Sequence, residues 1–267
     1  MKPNFVRSKL KRGEPSLGTW LNLPDSLVAS LMSRVGFDWL TIELEHSPTS
    51  YETAAASLSI LAGNGVVPLA RISSNTPENI KRILDFGAWG VIVPMVNSKA
   101  EAEAVVAAAR YAPEGARTIG GQFHAANFNT DAATYYRKAN EEILVVVMAE
   151  HIDAIEQADE ILQVPGIDVV FIGPNDLSKS MGLEPTFDSD EPRFVKAVDH
   201  ILKTAQRHGV VPGIHVADAA AARKRLDQGF QFIAIGSEVG FLLAKASETL
   251  AEVGLKGSAG RGPLAKY

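Results

Sequence analysis

The sequence predicts a (β/α)8 barrel, the TIM barrel, and three observations carry that prediction. Eight short apolar runs alternate with helical patterns from one end of the chain to the other. The length, 267 residues, is that of one such barrel. Two adjacent runs, Ile143–Glu150 and Val169–Asp176, each deliver a carboxylate at or just past the C-terminal end, where barrel chemistry is built. An open doubly wound sheet is the alternative, but no Gly-x-Gly-x-x-Gly follows the first run.

The elements follow in order. Strands are expected at Leu17–Leu23, Trp39–Glu45, Val67–Ile72, Gly90–Val96, Leu144–Glu150, Val169–Gly173, Val211–Val216 and Phe232–Gly236. They are short, apolar and rich in β-branched residues, as strands covered on both faces are. Helices are expected at Thr53–Leu61, Pro77–Phe86, Lys99–Tyr111, Ile152–Leu162, Phe194–Arg207 and Ala217–Gln228. Asn75-Thr76-Pro77-Glu78 offers a cap and a first-turn proline. Gly63, Gly87, Gly209 and Gly229 stand where helices should stop. Two connections are long: Ala112 to about Asn140 after the fourth strand, and Leu177 to about Glu191 after the sixth. Both are expected to leave the C-terminal face and to be able to cover a site there. Residues 1–267 read as one domain, with a short basic, solvated helix at the N-terminus and a flexible tail from about Gly257.

Composition narrows the chemistry. With no cysteine, thiolate catalysis and thiolate metal sites are excluded, and a reducing compartment, the cytoplasm, fits. Lys+Arg 26 against Asp+Glu 31 gives a net charge of −5, so no basic field invites nucleic acid. No apolar run approaches the roughly 18 residues that would suit a membrane span.

Glu150 and Asp176 are the first candidates for function. Oxygen ligands on neighbouring strands suit a hard divalent cation with positions left for water and substrate. The plainer reading is a helix cap for Asp176 and a solvated helix start for Glu150. Gly173-Pro174-Asn175-Asp176 also opens a helix, whose backbone N–H groups accept an anion such as a substrate carboxylate. His46, in Glu43-Leu44-Glu45-His46, is either a solvated loop residue or a base beside two acids. Arg71 closes the third strand and needs an anionic partner. It reads as a structural ion pair with Glu43, Glu45 or Glu150, or as an electrophile beside a metal-held oxyanion. His124, in the long loop, and His215, ending the seventh strand, read as lining residues. Gly236-Ser237 leaves a phosphate site open as a weaker reading.

Taken together these residues resemble the HpcH/HpaI aldolase family of class II pyruvate aldolases. The resemblance runs nearly end to end, through Phe37-Asp-Trp-Leu-Thr-Ile-Glu-Leu-Glu-His46, Ile80-Lys-Arg-Ile-Leu-Asp-Phe-Gly-Ala88, Val93-Pro-Met-Val96, Arg110-Tyr-Ala-Pro-Glu-Gly115 and Val170-Phe-Ile-Gly-Pro-Asn-Asp-Leu-Ser178. It implies Glu150 and Asp176 as ligands of Mg²⁺, Mn²⁺ or Co²⁺, His46 as base and Arg71 as the group that stabilises the enolate. It implies backbone amides of Asn175 and Asp176 as holders of the pyruvate carboxylate. It implies Asp85 as the carboxylate that raises the basicity of the histidine. Asp85 ends the helix before the fourth strand, at the far end of its own barrel from His46, so this role requires a neighbouring subunit in an oligomer, expected to be a hexamer. Departures from the family pattern are Glu43, Met148 in place of a glutamine, Thr118, Gln122-Phe-His-Ala-Ala and His215; these are expected to bear on the aldehyde.

The expected reaction is reversible aldol cleavage and addition of 4-hydroxy-2-oxo acids, with pyruvate as one half and a small aldehyde as the other. Rivals are a CoA-ester lyase of the malyl- or citryl-CoA type, oxaloacetate decarboxylation through the same enolate, and a non-catalytic binding barrel, which should have lost His46 or one acid.

Overall fold

A computed structural model describes residues 1–254. The chain runs α1 (Phe5–Lys11), β1 (Ser16–Leu21), α2 (Ser26–Met32), β2 (Trp39–Glu43), α3 (Tyr51–Gly63), β3 (Val67–Arg71), α4 (Pro77–Asp85) and β4 (Gly90–Val93). It continues through α5 (Lys99–Ala109), α6 (Phe123–Asn127), α7 (Ala132–Glu142), β5 (Leu144–Ala149), α8 (Ile152–Glu156), α9 (Ala158–Leu162) and β6 (Val169–Ile172). It ends with α10 (Pro174–Ser180), α11 (Pro192–His208), β7 (Val211–Val216), α12 (Ala219–Gln228), β8 (Phe232–Ser237) and α13 (Glu238–Glu252). The eight strands pair in sequence order, all parallel, and β8 returns to β1 to close the barrel.

Closure has a packing reason. One side chain in two along each strand points inward, and four large rings fill the centre. Trp39 stacks on Phe232 with centroids 4.2 Å apart, and Phe171 meets both Phe232 and Trp20 edge-on. Room for them comes from glycine. A Cβ on Gly18 would lie 2.1 Å from the Trp39 ring, and one on Gly213 would lie 2.9 Å from Phe171. Further along the same inward faces, towards the C-terminal ends, lie Glu43, Arg71, Met148, Gly173 and His215. The polar groups therefore sit as a layer directly above an aromatic floor.

Three expectations are corrected. The N-terminal helix is not merely solvated: Val6 and Leu10, spaced four apart on one face of α1, are buried. Arg7 pairs with Asp168 at 2.8 Å, and the Asn4 side chain donates to the carbonyls of Trp89 and Glu142, so α1 closes the N-terminal end of the barrel. The segment from Ala112 to Asn140 does not leave the C-terminal face. Helix α5 has already carried the chain back across the barrel, so this segment, with α6 and α7 inside it, lies at the N-terminal end. There Phe128 stacks on Trp89 at 4.3 Å and Asn127 donates to the carbonyl of Gly87. Met95 ends the fourth strand early by adopting φ 53. The connection after β6 does stay at the C-terminal face, with Phe187 against His215. The tail expected from Gly257 lies outside the described residues.

Helix α13 stands apart. Of its residues only Glu238 is buried, while Leu242 and Leu250 are exposed, as are Leu27, Leu31 and Val35 in and after α2. No described helix is long and apolar enough to cross a membrane.

Candidate active site

Strand β2 ends at Glu43, whose side chain is inward and buried. Its Oε1 accepts the backbone N–H groups of Glu45 (2.7 Å) and His46 (3.0 Å), which folds the following loop over the strand end. Its Oε2 accepts Nε of Arg71 at 2.6 Å from the paired strand β3. Arg71 also reaches Glu45 at 3.3 Å, sits over the Trp20 ring at 4.9 Å and points Nη1 at the Met148 sulfur, 4.0 Å away. The ion-pair reading of Arg71 is therefore realised, and its guanidinium still faces the barrel mouth. Burial holds the Glu45 carboxyl above its ordinary range, against the pull of Arg71 and His46.

Glu150 follows β5, and Gly173 follows β6, in adjoining strands. Glu150 is buried, and its Oε1 accepts the Met95 N–H at 2.8 Å, a bond aimed by the unusual backbone of Met95. Burial pushes its carboxyl up to about 7. Asp176 and Glu45 push the same way, while the Met95 N–H and Arg71 oppose them. Helix α10 opens at Pro174 with no side chain capping it, so the N–H groups of Asn175 and Asp176 are left for another acceptor. The buried Glu150 carboxyl and the exposed Asp176 carboxyl just past the adjoining strand offer hard oxygen atoms, which fit a divalent cation. Among the described residues no group of three His, Asp or Glu side chains forms a complete cage. The fit is thus to an ion that Glu150 and Asp176 would hold with substrate and water completing its shell.

Gly173 is the tight point. A Cβ there would lie 2.7 Å from Glu150 Oε2, while the backbone, at φ −94, suits any residue. Gly173→Ala is expected to leave the fold intact and to weaken divalent-cation binding by roughly 10–100-fold, as loss of a ligand's support does. Calorimetric titration with Mn²⁺ checks this; unchanged affinity would show that Glu150 needs no such room.

Residues 16–244 match the model of a protein family described as HpcH/HpaI aldolase/citrate lyase. The chain belongs to this family. A hydroxypyruvate/pyruvate aldolase of Rhizorhabdus wittichii is 35% identical over 249 residues, 93% of this chain and 98% of that protein. A 4-hydroxy-2-oxo-heptane-1,7-dioate aldolase of Escherichia coli is 37% identical over 248 residues, 93% of this chain and 94% of that one. The crystal structure of a family protein from Burkholderia cenocepacia superposes with a TM-score of 0.87 at 30% identity, covering 94% of this chain and 100% of that chain.

Of the site residues expected from the sequence, His46, Arg71, Glu150, Gly173, Pro174, Asn175 and Asp176 lie at the C-terminal end of the barrel, with Met148 and His215 beside them. Asp85 and His124 do not join them within one chain. Asp85, at the end of α4, pairs with Arg117 at 2.7 Å. Arg117 is buried over the rings of Tyr111 and Tyr135. His124 is buried in the same cluster, and its expected place lining the mouth of its own barrel is corrected: α6 belongs to the N-terminal end. Burial and Arg117 hold its imidazole below the usual range. The Gly236-Ser237 phosphate reading is not supported. Ser237 caps α13, and the buried Glu238 carboxylate takes the N–H groups of Asn22 and Leu23, each at 2.6 Å.

Sequence reasoning missed Trp20, Phe187, the Met95 amide and Arg117. Trp20 carried a signal, since it shares the inward alternation of β1 with Gly18. The others depend on loop paths that no local pattern encodes.

Proposed function

We propose that the protein is a class II pyruvate aldolase that cleaves 4-hydroxy-2-oxo acids reversibly into pyruvate and an aldehyde. The observation that carries this reading is the buried Glu150 carboxyl after β5, held by the Met95 N–H at 2.8 Å beside the uncapped start of α10 that carries Asp176. The family's relatives named as aldolases, matched over nearly their whole length, support it.

A divalent cation held by Glu150 and Asp176, whether Mg²⁺, Mn²⁺ or Co²⁺, would act as the Lewis acid that polarises the 2-keto group of pyruvate. The N–H groups of Asn175 and Asp176 bind the carboxylate of the same molecule. Arg71, held by Glu43 and resting on Trp20, stabilises the negative charge that develops on the keto oxygen. In cleavage, His46 takes the proton of the 4-hydroxyl as the C3–C4 bond breaks and the electron pair passes into the enolate. In addition, the enolate carbon bonds to the aldehyde carbon and the aldehyde oxygen takes a proton from His46. Asp85 of a neighbouring copy orients that histidine, so the working form is an oligomer, a hexamer in this reading. The exposed apolar residues of α2 and α13 supply surface for such an assembly. The absence of cysteine suits the cytoplasm.

The test is direct. Pyruvate, a divalent metal and a panel of aldehydes should yield 4-hydroxy-2-oxo acids, and exhaustive chelation should stop the reaction. Turnover that survives chelation would overturn the class II assignment. Arg71→Ala should lower kcat/KM by about 10²-fold, on the order of 3 kcal/mol, the cost of removing one oxyanion donor. Arg71→Lys should recover part of it, because a point charge does not reproduce the guanidinium fork. If KM alone rises, Arg71 binds ground and transition states equally.

A further inference from the structure

The wall of the barrel mouth formed by β7, β8 and β1 takes no part in the enolate chemistry assigned above. It is aromatic, with Trp20 and Phe187 around the half-buried imidazole of His215. Gly213 and His215 share the inward face of β7. Gly213 is packed against Phe171 and Phe232, so His215, two residues on, stands one layer higher, at the mouth. Its Nε2 lies 3.0 Å from the carbonyl oxygen of Gly236. A carbonyl only accepts, so Nε2 carries the proton and Nδ1 is left with its lone pair. Burial pushes the imidazole down to about 4, which keeps the ring neutral across the working range. Nδ1 makes no hydrogen bond among the described residues and, unlike both nitrogens of His124, is not sealed from solvent.

The ring is fixed from two sides. Phe187 meets it edge-on at 4.8 Å and Trp20 lies 5.6 Å away. Trp20 also carries the Arg71 guanidinium, so this wall is continuous with the enolate side of the site. The nearest cations of the Phe187 loop are engaged: Lys224 and Arg225 both pair with Asp188, at 2.6 and 2.7 Å. Pyruvate is held from β3, β5 and β6, which leaves the second substrate against β7, β8 and β1.

We infer that His215 determines the choice of aldehyde. Its Nδ1 accepts a hydrogen bond from a hydroxyl on the carbon next to the aldehyde group, so the site takes small hydroxyaldehydes ahead of plain alkanals and of aldehydes ending in a carboxylate. A lone pair open to the mouth rewards a hydroxyl donor and repels a carboxylate, and Arg71, the cation whose charge reaches this ring, is already paired with Glu43 and Glu45. The hydroxyl is a spectator, and no bond other than C3–C4 changes. This inference rests on the aldolase reading.

The test compares addition of glycolaldehyde, propanal and succinic semialdehyde to pyruvate by the native protein, His215→Leu and His215→Asn, each with Mg²⁺. Every rate is divided by the same protein's rate of exchange of pyruvate methyl protons with deuterated water, a reaction that needs no aldehyde. Differences in folding or in enolate formation then cancel. The native protein should prefer glycolaldehyde to both others. His215→Leu should lower the glycolaldehyde-to-propanal ratio by roughly tenfold, the loss of one neutral hydrogen bond. His215→Asn, which keeps an acceptor, should restore part of it. A ratio unchanged in His215→Leu, or a native preference for propanal or succinic semialdehyde, overturns the inference while leaving the aldolase reading intact. If the native protein shows no proton exchange, the aldolase reading itself falls, and the inference with it.

Discussion

Replacing Glu150 by alanine is expected to lower aldol turnover by about 10³-fold or more. Polarisation of a carbonyl by a bound cation supplies several kcal/mol, and about 4 kcal/mol corresponds to that factor. The carboxylate does little for the cation-free fold. Its pKa is raised to about 7 by burial, above the ordinary 4.5, so the folded state disfavours the charged form. The sign follows: stability associated with Glu150 is full below the unfolded value and is lost as pH rises through about 7. Cation-free protein should therefore melt at a lower temperature at pH 8 than at pH 5. Added Mn²⁺ should reverse that loss, and Glu150→Gln should flatten the slope. Protons compete with the cation for the same oxygen atoms, so Mn²⁺ affinity should tighten between pH 6 and pH 8. Mn²⁺ titrations and melting curves across pH give both readings. Full activity in Glu150→Ala after chelation, or affinity indifferent to pH, would remove the cation from this position.

The difference between what the chain announces and what it conceals is visible in these same residues. Glu150 and Asp176 can be read in advance because an acid at the end of a buried strand breaks an apolar pattern, and strand order follows chain order in a barrel. Arg71 can be read for the same reason. Glu43 could be suspected as its partner, but not its second task of holding the His46 loop through two amides, because backbone N–H directions depend on the turn. Met95 gives no warning: its contribution is an amide in a left-handed conformation, set by the path between β4 and α5. The stretch from Ala112 to Asn140 misleads for a topological reason. Counting from a strand places it at the catalytic end, whereas α5 intervenes and reverses the direction of travel. His124 was drawn into the mouth by that error. The basic N-terminus misleads because its charges, Arg7 and Lys9, look solvated until Asp168 and Asp38 are brought to them from distant parts of the chain.

The second large effect concerns a histidine and a carboxylate that one chain keeps apart. The His46 side chain is 65% exposed, with Glu45 3.8 Å away as its nearest acid. Asp85 is at the other end of the barrel, clamped by the buried Arg117. A general base needs an orienting partner to hold its tautomer, and here the candidate carboxylate is rigid but out of reach. Both groups are completed if the α4 end of one copy meets the mouth of the next. His46→Ala should then lower the aldol rate by roughly 10²–10⁴-fold with pyruvate binding retained. Asp85→Asn should lower it through His46 and shift the acidic limb of the pH–rate profile, while leaving Mn²⁺ affinity unchanged. The decisive measurement mixes the two inactive variants under conditions that allow subunits to exchange. In an equal, random mixture roughly a quarter of the interfaces join a native His46 to a native Asp85, and activity should return towards that fraction of the native value. A loss caused only by damage within each chain would not recover on mixing. Light scattering that finds a fully active monomer would defeat the arrangement and leave Asp85 as an anchor for Arg117.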